Sequence, residues 1–306
     1  MDLFDLHCDT LTKLYDLGSD LSDSPAAISQ STISRFEKYA QIFAVFSEPG
    51  LSDDDCYKRF FDVASFFKEM PFALTGEDIE RTGNILSVED ARLLSGDISR
   101  LDALFRAGVR VITPLWAGST CIGGSFDTDD GLTRFGTEVI KRSAELGIIP
   151  DISHASRRAS DEIIDIAHWY SAPVIASHSD SYEVCPHPRN VTDKLAKKVK
   201  DSGGVIGICL HAPHLSADEA SVDDVIRHAE HLILVTDESA VCLGCDFDGT
   251  DSLPRGVADQ SDLYHIADRM ASLGWPDDTI HDIFYNNANR FFKNNLGQKR
   301  KVILNQ

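Results

Sequence analysis

The sequence lacks a surplus of basic residues: 29 Lys and Arg stand against 49 Asp and Glu, which gives a formal net charge of −20 at pH 7. So acidic a chain is poorly suited to bind nucleic acid or an anionic membrane surface. It also lacks any run of about 18 consecutive apolar residues, and Asp2 and Asp5 replace the basic start that a signal peptide would have. These absences predict a cytoplasmic protein with no membrane anchor and no nucleic-acid partner.

A regular cysteine framework is missing as well, because the seven cysteines are odd in number and several fall in apolar runs expected to be buried strands. Reduced thiols in the core are therefore expected rather than disulfides. Cys242 and Cys245 form a C-x-x-C motif, but it lies in a strand-like run and not in a turn that opens a helix. A redox or zinc-knuckle role for this pair is not favoured.

Apolar runs alternate along the chain with amphipathic stretches, which is typical of repeated strand–helix units around a parallel sheet. Eight such runs occur, near residues 3–8, 39–46, 83–88, 108–113, 147–152, 173–177, 204–210 and 241–245. Eight strands, each followed by a helix, predict a (β/α)8 TIM barrel, which commonly forms one domain of about 250 residues. We expect a single domain over residues 1–306, with the Gly- and Asp-rich segment 118–131 either as a mobile loop over the barrel mouth or as a plain surface excursion.

Good metal ligands follow four of the predicted strands. His7 and Asp9 leave the first strand on the same face, because a strand projects residues i and i+2 to one side. Three later runs end in His154, His178 and Asp246. The carboxyl ends of barrel strands meet at one face of the fold, and imidazole and carboxylate groups are common zinc ligands. The five side chains therefore predict one metal centre.

Other acidic and imidazole residues compete for places at this centre. Asp248 follows Asp246 closely and on the same face, but we favour Asp246 as the functional carboxylate and expect Asp248 in a turn or in contact with the ligands. His211 and His214 follow the seventh strand and are candidates for lining the pocket. His228 is expected on the surface of a helix.

Six short motifs are distributed between residues 7 and 249. They are H-C-D-T at residues 7–10, G-L-T-R-F-G at 131–136, D-I-S-H-A-S at 151–156, A-P-V-I-A-S-H-S at 172–179, C-P-H-P-R-N at 185–190 and G-C-D-F-D-G at 244–249. In the order and spacing of these motifs the chain resembles the membrane dipeptidase (renal dipeptidase) family of zinc peptidases, in its soluble bacterial branch. The resemblance implies a (β/α)8 TIM barrel of the metal-dependent hydrolase type.

The resemblance also implies two zinc ions that share one carboxylate. It assigns His7, Asp9 and Glu89 to one ion, and Glu89, His154 and His178 to the other. Glu89, which ends the third strand, comes from the resemblance alone. Two cations that share a carboxylate and a water molecule lower the pKa of that water enough to supply a bridging hydroxide near neutral pH, while one of them polarises the scissile carbonyl.

Roles for five further positions follow from the resemblance. Asp246 would carry a proton from the water to the leaving amine, and Arg189 would grip the terminal carboxylate of the substrate. Trp116 stands where the family commonly has a histidine that stabilises the oxyanion, and loss of such a donor costs about a hundredfold in turnover. His211 replaces a usual tyrosine and is a candidate substitute donor at the substrate. Asp90 replaces a usual glycine beside Glu89, where it either crowds the bridging position or points away.

The leading hypothesis is a zinc-dependent dipeptidase that hydrolyses small dipeptides and tolerates a D-residue at the C-terminal position. Two alternatives stay open. One is a binuclear-metal amidohydrolase that acts on another small amide, such as an N-acyl amino acid. The other is a family member whose activity has decayed and which only binds ligand. Relatives are often dimers, so a homodimer is expected as well.

Overall fold

The computed structural model describes residues 1–69 and 83–301. All strands named in it are parallel and belong to one sheet, in the order β5-β4-β3-β2-β1-β7-β6. The strands are β1 (Leu3–Cys8), β2 (Tyr39–Phe46), β3 (Ile85–Glu89), β4 (Val109–Thr113), β5 (Ile149–Pro150), β6 (Ile206–Ile208) and β7 (Val241–Leu243).

Two single bridges connect the edges of this sheet. Ile175 pairs with Asp151, directly after β5, and Ala176 pairs with the first residue of β6. This short segment occupies the eighth position of the ring, so the predicted (β/α)8 barrel is confirmed. The prediction of a regular strand over residues 173–177 is wrong, because the Ser177 N–H donates to the Asp151 carboxylate at 2.9 Å and not to a neighbouring strand.

The barrel interior contains an apolar cluster to which seven of the eight ring segments contribute, together with the residue directly before β6. These members are Phe4, Ala40, Ile85, Val111, Ile149, Ile175, Cys242 and, before β6, Val205. Phe291 and Phe292, on the last helix, belong to the same cluster, and the Phe292 ring stacks on Phe4 with the centroids 5.2 Å apart. A larger apolar cluster packs the helices onto the outside of the ring. The two clusters bury both faces of the strands, as parallel sheets require.

Helices surround the ring in the order expected for strand–helix units. The α-helices span Thr10–Leu17, Gln30–Ile33, Asp53–Glu69, Ile98–Ala107, Arg134–Leu146, Arg157–Trp169, Asp193–Asp201, Ala212–Leu215, Val222–Val235, Leu263–Ser272, Asp277–His281 and Asn287–Asn295. Short 3-10 helices span Leu21–Asp23, Ala91–Leu94, Glu238–Ala240 and Gln260–Asp262, and a π-helix spans Asp282–Asn286. Within residues 1–69 and 83–301, no helix combines the length and apolar character that crossing a bilayer requires.

Hydroxyl side chains fix the starts of the helices that follow the loops of the barrel mouth. Thr133, Ser156 and Thr192 each accept a hydrogen bond from a backbone N–H in the first turn of the helix that they cap. Such caps are each worth about 1 kcal/mol. Because Ser156 closely follows His154, and Thr192 closely follows Arg189, the caps also limit the movement of these two side chains.

The seven cysteines are all free, and six of them are buried, in agreement with the prediction of reduced core thiols. The predicted single domain covers residues 1–306, of which 70–82 and 302–306 lie outside the described residues. Its extent stays a prediction.

Candidate metal centre

The six side chains predicted to form the centre lie together at the carboxyl ends of the strands. His7 belongs to β1, and Glu89 is the last residue of β3. Asp9, His154, His178 and Asp246 stand on the loops just beyond β1, β5, the 175–176 segment and β7. Four of the six are less than a tenth exposed: His7, Asp9, Glu89 and His178.

Glu89 stands between two groups of imidazoles. Its Oε2 lies 3.4 Å from Nε2 of His7. Its Oε1 lies 3.0 Å from Nε2 of His154 and 3.5 Å from Nε2 of His178. The two oxygens of one carboxylate thus face different histidines, which is the arrangement that a bridging carboxylate needs.

Two further carboxylates approach His7 from the other side. Its Nε2 lies 3.4 Å from Oδ2 of Asp9 and 3.7 Å from Oδ1 of Asp246. The ligand atoms of these three residues lie within 4.8 Å of one another, and so do those of His7, Glu89 and His178. Two overlapping donor groups therefore share His7.

Unsatisfied polar atoms show that this donor set fits divalent cations. In the described part of the chain, Nε2 of His7 and Oδ1 of Asp9 are buried without a hydrogen-bond partner. Buried polar atoms are rarely left unpaired in native proteins. A cation bound by imidazole nitrogen and carboxylate oxygen would satisfy both atoms, and zinc accepts these ligands readily.

The electrostatics of the cluster agree with cation binding. Burial disfavours the charged form of His7 and by itself would lower its pKa. The attraction of the Glu89 and Asp9 carboxylates is larger than this effect and raises the pKa of His7 well above its ordinary value. Burial raises the pKa of Asp246 well above its usual range, and the Asp9 and Glu89 charges act in the same direction. The three carboxylates of Asp9, Glu89 and Asp246 thus repel one another, and bound cations would offset this repulsion.

The two histidines beyond Glu89 favour their neutral form. Burial, aided by the Arg189 guanidinium, lowers the pKa of His154 to about 4. Burial and the charge on His7 lower the pKa of His178 well below its ordinary value. Neutral imidazoles are the form that binds metal.

Hydrogen bonds from neighbouring residues orient these imidazoles. Nδ1 of His154 lies 3.2 Å from the carbonyl oxygen of Trp116, and Nδ1 of His178 lies 2.7 Å from Oγ of Ser177. The Ser177 hydroxyl in turn donates to the buried carboxylate of Asp151. Occupied Nδ1 atoms leave both Nε2 atoms facing Glu89. Contacts of this kind commonly hold metal-binding histidines in place.

The residue after Glu89 does not crowd the centre. Asp90 has a φ of 61°, in the left-handed region where glycine is the usual residue. Its side chain accepts a hydrogen bond from the backbone N–H of Arg92 and pairs with Nε of that residue at 3.2 Å. Of the two alternatives for Asp90, the structure shows the second: the side chain points away from Glu89 and toward Arg92.

The residues predicted to contact substrate border a cavity of about 600 Å³ at the mouth of the barrel, which also exposes Glu89, His154 and Asp246. Arg189 is 4% exposed and donates to the carbonyl oxygen of His178 at 2.9 Å and to Oγ of Ser179 at 3.0 Å. Its Nε has no partner among the described residues.

Trp116 and His211 line the same cavity. The Trp116 ring packs against Phe46, with the centroids 4.9 Å apart, and the ring of His211 contacts the hydroxyl of Thr250 through Nδ1. Phe126, from the segment 118–131, contributes an apolar ring to the lining of the cavity. Its backbone N–H donates to the carbonyl oxygen of His154 at 2.8 Å. This segment therefore lies beside the site.

Two sequence predictions about neighbouring residues have different outcomes. Asp248 accepts hydrogen bonds from Lys13 Nζ at 2.8 Å and from the Ala27 N–H at 2.9 Å, so its carboxylate supports the surrounding loops, as expected. The prediction that His228 lies on a helix surface is wrong. His228 is fully buried, because its two ring nitrogens meet the N–H of Ser181 and the carbonyl oxygen of Leu215, both at 3.0 Å.

Gly249 is a residue of the site that the sequence reasoning missed. A Cβ atom built on it would lie 2.3 Å from Oδ2 of Asp9 and 2.4 Å from Oδ1 of Asp246. Only glycine leaves room for both carboxylates. The signal in the sequence was its place directly after D-F-D, at the end of the last barrel strand.

A parallel barrel that gathers imidazoles and carboxylates at the carboxyl ends of its strands is an arrangement that metal-dependent hydrolases use. The sequence model of the membrane dipeptidase family, peptidase family M19, matches residues 1–302. The chain therefore belongs to this family, and it is a metal-dependent peptide hydrolase of the dipeptidase type.

Individual relatives agree with this assignment. An uncharacterised protein from the pqqA 5′ region of Klebsiella pneumoniae is 32% identical over 251 residues, which cover 76% of this chain and 91% of that protein. A solved metallopeptidase described as dipeptidase AC superposes with a TM-score of 0.89 at 22% identity, covering 97% of this chain and 99% of that one. A metallopeptidase from Rhodobacter sphaeroides, solved with a phosphinate mimic of the dipeptide L-Ala-D-Ala, gives a TM-score of 0.88 at 22% identity, with 96% and 99% covered. At this identity the two structures show a shared fold.

Proposed function

We propose that this chain is a zinc-dependent dipeptidase that binds two zinc ions and cleaves small dipeptides, including those with a D-residue at the C-terminal position. The observation that carries the proposal is the position of Glu89, with one oxygen toward His7 and the other toward His154 and His178. Glu89 also lines the same cavity as Arg189. One small molecule can therefore reach both the guanidinium of Arg189 and the centre at Glu89.

In this proposal His7, Asp9 and Glu89 hold one zinc ion, and Glu89, His154 and His178 hold the other. When bound, two such ions lower the pKa of a water molecule and polarise a carbonyl group. The unpartnered Nε2 of His7 and Oδ1 of Asp9 support a cation at the first set, to which both residues belong.

Arg189 is assigned to the carboxylate of the substrate. Hydrogen bonds to His178 and Ser179 fix its guanidinium, and each of the two terminal nitrogens that make them carries a second N–H for a ligand. A guanidinium held in this way grips a carboxylate through charge-assisted hydrogen bonds. The cavity of about 600 Å³ suits a molecule of dipeptide size.

A carboxylate at the cavity offers a partner to the free amine of a dipeptide. The lining includes Glu48 in addition to the carboxylates of the cluster, whereas Asp16 is paired with Arg59, and Lys13 is paired with Asp248. Glu48 can attract an ammonium group and offers no comparable partner to an N-acyl chain. This lining favours dipeptides over N-acyl amino acids, and the phosphinate mimic bound by the Rhodobacter sphaeroides protein supports tolerance of a D-residue.

Asp246 is assigned to proton transfer. The water oxygen forms a bond to the carbonyl carbon, and the carboxylate of Asp246 accepts a proton from that water. Asp246 then gives the proton to the amide nitrogen as the C–N bond breaks, which yields two free amino acids. Asp246 is placed for this role, because its Oδ1 lies 3.7 Å from Nε2 of His7 and the side chain lines the cavity. Trp116 and His211 are the candidate donors to the oxyanion, since both line the cavity.

Replacing the proton carrier tests the proposal. Asp246→Asn should lower kcat by about a hundredfold or more, because an amide cannot accept and return the proton. Two zinc ions per chain should remain, because Asp246 holds neither. Asp251→Asn, at an exposed position in the same loop, is the matched control and should keep full activity. Full activity of the Asp246 variant would remove Asp246 from the mechanism.

A further inference from the structure

A second group of potential ligands lies beside the centre and has no part in the proposed reaction. It consists of Asp180, from the loop after His178, Cys209, directly after β6, and His214, from the helix Ala212–Leu215. A carboxylate oxygen, the thiol sulfur and a ring nitrogen of these residues lie within 4.8 Å of one another.

Asp180 is the residue in this group whose environment calls for a cation. Its side chain is fully buried, and Oδ1 accepts a hydrogen bond from the backbone N–H of Cys209 at 3.2 Å. Oδ2 has no partner in the described ranges of the chain. A buried carboxylate with an unsatisfied oxygen is costly, and a bound cation removes that cost.

The other two members are placed for the same ion. Cys209 is free and fully buried. His214 lines the cavity, so a cation has a path from solvent. Arg189, the neighbouring cation, donates to His178 and Ser179 and not to Asp180.

Hydrogen bonds connect the loop that carries Asp180 to the helix that carries His214. Asn190 donates through Nδ2 to the carbonyl oxygen of His214 at 2.8 Å. The buried ring of His228 bridges the N–H of Ser181, next to Asp180, and the carbonyl oxygen of Leu215, next to His214. The positions of the ligands are therefore fixed before an ion arrives, as a preformed site requires.

We propose that Asp180, Cys209 and His214 form a third cation site, distinct from the two zinc positions at Glu89. One thiolate, one imidazole and one carboxylate select zinc or cobalt(II) over magnesium and calcium, which prefer oxygen ligands alone. Three protein ligands leave one coordination position open.

The location of this site gives it an effect on catalysis, a consequence that rests on the proposed function. Sγ of Cys209 lies 4.0 Å from Oδ2 of Asp246. A cation held by the thiolate would therefore attract the carboxylate that carries the proton. Zinc beyond two equivalents should then inhibit hydrolysis, and the inhibition should depend on Cys209.

Cobalt(II) tests the site without any measurement of activity. Metal-stripped protein is titrated with cobalt(II), and the near-ultraviolet absorption that arises when a thiolate binds cobalt is followed. The ligands at Glu89 are nitrogen and oxygen only, so this absorption reports sulfur ligation. It should appear with the third equivalent, and metal analysis should give three cobalt ions per chain. A total of two ions without the absorption would overturn the site.

Variants locate the signal and separate the two proposals. Cys209→Ser and His214→Gln should each lose the third ion and keep two, whereas Cys121→Ser, a partly exposed control, should keep all three. A thiolate absorption that survives in Cys209→Ser would place the site elsewhere. Equal inhibition of Cys209→Ser and the natural chain by excess zinc would refute the effect on Asp246. Failure of the two-zinc protein to hydrolyse dipeptides would count against the proposed function alone, because the absorption needs no turnover.

Discussion

Adding one methyl group at Gly249 should disable the site without unfolding the protein. The new Cβ would lie 2.3 Å from Oδ2 of Asp9 and 2.4 Å from Oδ1 of Asp246, whereas ordinary contacts begin at 3.4 Å. Each carboxylate must therefore move by about 1 Å, and misplacement of catalytic groups by about 1 Å can cost on the order of a hundredfold in rate. That factor corresponds to about 2.7 kcal/mol of lost transition-state stabilisation.

The assay for Gly249→Ala is kcat/KM for a dipeptide, measured together with zinc content and the free energy of unfolding. The atoms that clash belong to the ends of two side chains, so the fold should survive. Gly50→Ala is the matched control, because a Cβ at Gly50 meets nothing within 4 Å, and it should behave as the natural chain does. A Gly249→Ala protein with kcat/KM within a factor of about three of the natural value would refute the reasoning from contact distances.

Two further substitutions test other parts of the account. Arg189→Lys should raise KM for dipeptides by about tenfold or more, because an ammonium cannot replace a guanidinium that grips a carboxylate; an unchanged KM with full zinc content would remove Arg189 from substrate binding. Burial raises the pKa of Asp90 from 3.8 to about 7. Between these two pH values the native state keeps a proton that the unfolded chain has lost. The contribution of Asp90 to the free energy of unfolding is therefore full below pH about 4 and declines until pH about 7. Asp90→Asn should therefore gain stability relative to the natural chain as the pH rises through that window, by at most about 1.4 kcal/mol per pH unit, and a difference in urea unfolding that does not change with pH would contradict this.

The pattern of the sequence was sufficient for the barrel and for the clustering of most of the candidate ligands. Alternating apolar and amphipathic runs predicted the eight ring segments, and the positions of His7, Asp9, His154, His178 and Asp246 at strand ends predicted that they would meet, which the structure shows. Their metal-binding role stays a prediction. These residues were accessible to prediction because strand ends converge in any parallel barrel, whatever the details of packing.

Other features depend on contacts that no spacing rule reports. Glu89 is a single carboxylate at the end of a strand, and only resemblance to a family could distinguish it from a surface residue. His228 follows the spacing of an exposed helix face, yet two backbone groups from distant loops bury its ring. The eighth segment is too short for a regular strand because a side chain, Asp151, takes the hydrogen bond of Ser177.

Asp90 shows how the structure decides between alternatives that the sequence left open. The residue keeps the left-handed backbone that would favour glycine, and aspartate tolerates that conformation better than most residues. Its contacts with the backbone N–H and Nε of Arg92 hold the carboxyl group away from Glu89. A position that departs from the family pattern is compatible with an intact centre.

Zinc-dependent cleavage of dipeptides at the Glu89 centre can be measured with metal-stripped protein. Hydrolysis of a panel of L,L- and L,D-dipeptides, with an N-acetyl amino acid as control, is followed before and after two equivalents of zinc are restored. We expect no hydrolysis before zinc is added, cleavage of dipeptides of both kinds afterwards, and no cleavage of the N-acetyl compound. Cleavage of the N-acetyl compound alone, or no turnover with two zinc ions bound, would contradict the proposed function.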